Sequence, residues 1–419
     1  MKRTFASLRM HRNYRLFFAG QVVSVSGTWM QNVAQAWLVW ELTHSPVAVG
    51  VLGLCRFLPF TIFGLFGGVI ADRLDYRRTF MATQASAMTL SAVLAVLALT
   101  GSASVLLVDL IAFLNGTVLV LDAPTRQSLT FQMVGRDELP NAVALNSSIF
   151  NASRIAGPGI AGLVIAGVGV GWCFAFNAVS FLAVLAATWL MRPGELIPLE
   201  RGERPGVLAG IREGLAFTRR APRIRLVLLM LVVLATLCFN FNVLLAVLAS
   251  QTLHAGPRTF GVLTASFGLG SLIGALITAA SGRASWRAMV LGAAGFGTFV
   301  LLLAPAHSVV LCALLLAAAG VCFTLYTANS NSTVQLNVPD RLRGRVMGIY
   351  YYAWSGTGPL GNLFAGWLAA RGGTTLAFSV AGTAALVMAA VGALFGTTRG
   401  RERLADVRTL RSPAARRAA

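Results

Sequence analysis

Apolar stretches long enough to cross a bilayer recur along nearly the whole chain, and polar residues gather in the gaps between them. A helix needs about 20 apolar residues to cross the hydrocarbon core. By that measure the pattern predicts twelve spans, near 14–40, 47–71, 79–100, 104–130, 141–168, 171–191, 225–250, 259–281, 287–304, 308–333, 344–370 and 374–397. The expected class is an all-α membrane protein. One span breaks the apolar rule in a regular way. In the first, Gln21, Ser24, Thr28, Gln31 and Gln35 step by three and four residues in turn, with Asn32 beside them. They share one helical face. Such a stripe avoids lipid, so it either lines a polar path or hydrogen-bonds neighbouring helices. So many polar groups on one helix favour the path.

Charge gives the orientation. Of 34 lysines and arginines, 30 lie at the two termini or in the even-numbered connections. The odd connections hold Arg258 and Arg371, while Arg56 and Arg154 fall inside spans. Positive residues stay on the cytoplasmic side, so both termini and every even connection are expected there. The same rule accounts for the net charge of +20 without a nucleic-acid partner. The basic N-terminus resembles a signal peptide, but no A-x-A site closes the apolar run, so a retained first helix is expected.

Several chemistries are excluded. The five cysteines lie in apolar segments and form no C-x-x-C, so neither a metal site, a cofactor nor a disulfide framework is expected. The one lysine is Lys2, which rules out a phosphate-binding loop of the Walker type. Any active transport must draw on an ion gradient or on a partner ATPase. No H-E-x-x-H or G-x-S-x-G pattern suggests an enzyme.

The longest polar stretch divides the chain. It gives an N-terminal six-helix bundle over 1–191, a cytoplasmic linker over 192–224, a C-terminal six-helix bundle over 225–398 and a basic tail over 399–419. The halves repeat each other. FQMVGRDELPNAV (131–143) lies over VQLNVPDRLRGRV (334–346), setting Gln132 on Gln335 and Asp137 on Asp340. Repeated halves with a binding site between them are a transporter arrangement.

Polar groups in other spans extend the path. Asn115, Asp122 and Arg126 share a face, as do Ser147, Asn151, Arg154 and Pro158. A charge at mid-membrane costs about 2.5–3.5 kcal/mol on insertion scales, so it must pair, meet water or be neutral. Counted from the cytoplasmic ends, Asp122 and Arg154 differ in depth by about 6 Å at about 1.5 Å per residue. An arginine side chain spans that gap, and the two are expected to pair, either statically or as a functional switch. Asp109 falls near an outer end and Arg56 has no evident partner. In the second half Asn240 and Asn242 point to nearly opposite faces, so at most one faces the cavity. Asn240, Asn329 and Tyr352 are the cavity candidates there.

The run GGVIADRLDYRR (67–78) resembles the loop motif of the major facilitator superfamily, with Gly68, Asp72, Arg73, Arg77 and Arg78 in the matching positions. Asp75 and Tyr76 depart from the general motif. The resemblance implies that the aspartate braces a cytoplasmic gate against the start of the eleventh helix, here PDRLRGRVMG (339–348) with Arg343. The stretches 13–50, 122–129 and 154–162 resemble the bacterial efflux branch that contains the enterobactin exporter and macrolide efflux proteins. Gly157, Pro158 and Gly162 are similar to the antiporter motif of its fifth helix, in a shortened form.

The resemblance implies the major facilitator fold in a bacterial inner (cytoplasmic) membrane. It also implies a secondary exporter of small amphiphilic compounds, by proton-coupled antiport. The expected partners are a small-molecule substrate, protons and the lipid bilayer, with the chain a monomer. Asp122, tuned by Arg154, is the first candidate for proton coupling, and Asp109 the next. Facilitated uptake or uniport is the alternative, and a non-transporting receptor on the same fold is another.

Overall fold

The computed structural model describes residues 5–71, 73–198, 207–281 and 284–410, so Asp72 lies outside the described residues. Among them the chain is helical, with no strand. A short α1 (Ala6–Met10) leads into α2 (Arg12–Thr43), which ends where His44 turns left-handed at φ 48°. Then come α3 (Pro46–Ala71), α4 (Tyr76–Leu99), α5 (Val105–Val168) and α6 (Val170–Trp189). The amphipathic α7 (Val207–Arg220) precedes α8 (Pro222–Leu237) and α9 (Phe241–Val247). The rest are α10 (Pro257–Ser281), α11 (Trp286–Leu303), α12 (Val309–Asn337), α13 (Asp340–Ser355) and α14 (Gly358–Leu410).

Local sequence fixes several of these ends. Asp75 caps α4 by accepting a hydrogen bond from the Arg78 N–H at 2.8 Å, which satisfies one of the free donors of a helix start. That explains its departure from the glycine of the general motif. Ser104 and Ser285 cap α5 and α11 in the same way.

A 64-residue straight helix would run about 96 Å, three times the hydrocarbon thickness. The α5 helix does not run straight. Gly135 takes φ 71° and ψ −175°, so 105–134 and 136–168 are two arms joined at a single residue. A residue with a Cβ is strained at that φ, and glycine is not. In α14 the break falls at Gly372 and Gly373. Other breaks fall inside spans expected to be continuous: the helix opens at 238–240 between α8 and α9, and at 356–357 between α13 and α14.

Eight helical stretches among the described residues are long and apolar enough to cross a membrane, the two longest being Val105–Val168 and Leu342–Phe395. The amide-rich α2 is not among them, although its 32 residues would span a bilayer. Its polar face lowers its hydropathy. In the first half α2 lies against α5 and α6, and α4 against α6. In the second, α12 lies against α10 and α11, and α11 against α14. The halves meet where α3 packs on α14 and where α5 packs on α10.

Candidate functional site: a polar chamber sealed at one end

A cavity of about 310 Å³ lies among α2, α3, α4, α5 and α6, with Asn242 of α9 completing its wall. We refer to it as the inner chamber. A second cavity, of about 620 Å³, shares Gln21, Val25, Arg126 and Phe150 with it and widens between the arms of α5 toward the Gly135 turn. It is the vestibule of the first. The Gly135 turn adjoins Arg136, so the path opens at the end of the bundle that carries the basic connections.

The opposite end is closed by backbone contact. A Cβ on Gly261 of α10 would fall 2.7 Å from the Pro158 carbonyl oxygen and 2.9 Å from the Gly162 Cα, both in α5. Glycine there lets the two helices touch through their main chains. Nearby, Trp37 of α2 stacks on Phe260 of α10, with ring centroids 5.8 Å apart. Gly157, the remaining residue of the fifth-helix motif, packs against Trp29 of α2. All three motif residues therefore lie at helix contacts, and two of them lie between the halves.

The polar stripe of α2 faces the chamber: Gln21, Ser24, Thr28, Gln31, Asn32 and Gln35 all line it. Gln31 accepts a hydrogen bond from Asn177 of α6 at 2.8 Å, and Asn177 also reaches Ser91 of α4 at 3.3 Å. Asn115 lines the chamber and donates to its own helix at the Ile111 carbonyl, 3.1 Å away.

Asp122 stands at the centre of this wall and is 6 % exposed. Its Oδ1 accepts from Thr83 Oγ1 at 3.1 Å and from Gln84 Nε2 at 2.7 Å, both on α4. Its Oδ2 lies 3.6 Å from the Arg126 guanidinium one turn along α5. The expected pairing with Arg154 is therefore corrected. Arg154 lies on the other arm of α5, 5.9 Å from the centroid of Phe323 in α12, with its buried Nε unpartnered. The two residues lie on different arms of α5, on either side of the turn at Gly135, and depth alone does not report rotation. Asp109 is buried with Oδ1 unpartnered and lines neither cavity.

Four cavity candidates lie away from both cavities. Asn151 donates to the Ser147 carbonyl at 2.9 Å, and Asn240 to the Thr236 carbonyl at 2.7 Å. Asn329 accepts from the Ser285 N–H at 2.8 Å, holding the start of α11. Tyr352 donates to the Thr61 carbonyl at 2.9 Å, tying α13 to α3. None lines either cavity. The helix break at 238–240 puts Asn242, not Asn240, on the chamber wall. Tyr351 reaches the vestibule. Sequence reasoning also missed Gln84 and Asn177, each a lone amide in an otherwise apolar span with no repeating stripe to mark it.

The gate motif divides. Gly68 falls within α3, and Asp72 lies outside the described residues. The Arg73 N–H closes a turn on Ile70, and Arg343 donates to the Gln335 carbonyl at 3.3 Å. Arg77 donates to the carbonyls of Thr188 and Trp189, at 3.0 and 2.9 Å. It therefore satisfies the end of α6, where a cation also suits the helix dipole. Arg77→Ala is expected to lower stability by about 1 kcal/mol. A thermal melt of the purified variant, with its transport measured alongside, would separate this capping role from gating.

A membrane path lined in part by amides, with a buried carboxylate beside a partly exposed guanidinium and a close glycine contact of α5 with α10 at its far end, suits a membrane transporter. The family model described as "Transmembrane secretion effector" matches residues 2–413, and the chain belongs to that family of major facilitator transporters. It is 26 % identical over 381 residues to the staphyloferrin A transporter of Staphylococcus aureus, covering 90 % of this chain and 94 % of that one. It is 30 % identical over 368 residues to the multidrug efflux pump Tap of Mycolicibacterium fortuitum, covering 84 % and 88 %. Among solved structures it resembles a peptide transporter of the POT family with a TM-score of 0.74 at 13 % identity, covering 93 % of this chain and 95 % of that one. The resemblance to the efflux branch read from the sequence thus holds.

Proposed function

We propose that this chain exports small amphiphilic compounds across a bacterial cytoplasmic membrane by alternating access, as a twelve-span protein of two six-helix bundles. The observation that carries the reading is the chamber itself. It carries the polar stripe of α2 and a buried carboxylate beside a partly exposed guanidinium, and α5 and α10 touch through their backbones at the end away from the basic connections. Relatives named as efflux proteins support the outward direction.

Asp122 is the proton-coupling group in this proposal, with Arg126 in the place first given to Arg154. A proton on Asp122 releases Arg126, and that change biases one orientation only if the two orientations hold the pair differently. Uniport is the second reading. It is favoured by how fully Asp122 is already held, with two hydrogen-bond donors and a guanidinium in place. Drug accumulation in cells with and without the chain tests export. Equal accumulation of every compound across a broad panel would reject it.

Orientation has its own test. A single cysteine at Ser45 is expected to react with an impermeant thiol reagent on intact cells. One at Asp75 is expected to react only after the membrane is opened. The reverse pattern would place the vestibule outside and turn the exporter into an importer.

A further inference from the structure

Arg56 is the group in the chamber that the transport scheme leaves unused. It lies on α3, within a stretch of helix apolar enough to cross the membrane, and its guanidinium faces the inner chamber. One of its nitrogens donates to Asn32 Oδ1 on α2, across the cavity. A guanidinium carries five N–H donors, and among the described residues no other hydrogen bond from Arg56 is present. Its guanidinium also lies 5.9 Å from the centroid of the Phe57 ring, which accepts no hydrogen bond along the donor fork and leaves the remaining donors to the cavity side.

The charge balance is uneven. The ion pairs among the described residues are Asp122 with Arg126, Arg192 with Glu195, and Arg345 with Glu213. Arg56 belongs to none. Of the described acidic residues only Asp122 lines the chamber, and Arg126 already engages it. The chamber therefore holds two guanidiniums against one carboxylate. Any transport cycle passes through a closed state, and there an unpaired cation loses its water at high cost.

From this geometry we propose that the exported substrate bears a carboxylate, which docks on Arg56 beside Asn32 with the apolar body against Phe57, Phe150 and Phe181. The proposal rests on the export reading for direction alone. A planar carboxylate matches the donor fork of a guanidinium, and Asn32 fixes the orientation of that fork. The anion then supplies the missing counter-charge, so the loaded chamber closes more readily than the empty one. Two consequences follow for energetics. An inside-negative membrane potential itself drives an anion outward. A proton on Asp122 would add positive charge and hold the anion, so an antiport cycle requires the anion to leave before Asp122 is protonated.

The test uses the full chain in lipid nanodiscs and three probes with one aromatic body: 2-naphthylacetate, its uncharged amide 2-naphthylacetamide, and 2-naphthylmethyl-trimethylammonium. Binding is read by calorimetry and by thermal stabilisation. The carboxylate is expected to bind at least about tenfold more tightly than the amide, which is about 1.4 kcal/mol, and the cation is expected not to bind. Arg56→Gln is expected to bring carboxylate and amide to equal affinity. Arg56→Lys keeps the charge and is expected to keep the preference, which also guards against a folding defect in the glutamine variant. Asn32→Ala is expected to weaken the carboxylate and leave the sign of the preference intact. Equal or stronger binding of the amide or the cation to the wild-type chain would overturn the proposal. So would a carboxylate preference that survives Arg56→Gln, or failure of all three probes to bind at millimolar concentration. None of these results touches the export reading, which stands or falls on the accumulation assay in cells.

Discussion

Asp122→Asn is expected to abolish efflux driven by a pH gradient while leaving substrate binding and downhill exchange in place. Asparagine keeps the size of the side chain and the acceptor for Thr83 and Gln84, but it loses the charge that holds Arg126. Couplings between two sites amount to about 1–3 kcal/mol, or about 5–150-fold, and the ratio of accumulation across the membrane should fall by that order. The measurement is efflux from proteoliposomes with the potential clamped at zero, beside binding on the same preparation. Arg126→Gln should also impair the gradient-driven step. The double variant should cost less than the two single effects added, because the partners touch. A purely structural pair predicts low abundance of each single variant instead. Full gradient-driven efflux by Asp122→Asn would remove the coupling role and leave uniport.

Gly261→Leu is expected to hold the sealed end open. The α10 backbone meets α5 at Gly162 and at the Pro158 carbonyl with no room for a Cβ. Overpacking a close contact costs about 1–3 kcal/mol, and about 1.4 kcal/mol shifts an equilibrium tenfold. That is enough to reverse a balanced pair of states. Transport should be lost although each half folds. A cysteine placed at Gln35, which lines the chamber, should become reactive to an impermeant thiol reagent from the face opposite the basic connections. Unchanged reactivity together with normal transport would mean that this seam does not open during the cycle. Gly162→Leu, on the facing helix, should act alike.

The parts of this architecture that were legible in the sequence were those carried by periodicity. The α2 stripe could be read because its residues recur every three or four positions, and a rigid helix turns that spacing into one face. All six stripe residues do line the chamber. What depended on rotation between helices was not legible. Asn240 and Asn242 were correctly placed on opposite sides, but the break at 238–240 decides which side faces inward. Asp122 and Arg154 lie on different arms of α5, on either side of the Gly135 turn, and do not meet. Arg126 was in view on the right face, one turn away, and the pairing required no distant partner. Arg56 was visible as a charge in a span, while its partner Asn32 lies on another helix and only packing brings them together. Arg77 matched a loop motif, yet its hydrogen bonds go to the end of α6, more than a hundred residues away in sequence.

The polar part of the chamber wall is made largely of carboxamides, and that composition bears on how many compounds one path can serve. A carboxamide offers a donor and an acceptor from the same carbon, and a half-turn of its terminal torsion exchanges them. Gln21 and Asn242 can therefore present either polarity to a passenger without moving a helix. Away from the Arg56–Asn32 pair, such a surface has little fixed complementarity for a chemically altered compound to violate. A compound that keeps its carboxylate but gains a hydroxyl or loses an amine elsewhere meets the same wall with its amides reversed, so modification away from the carboxylate is a poor route of escape from this carrier.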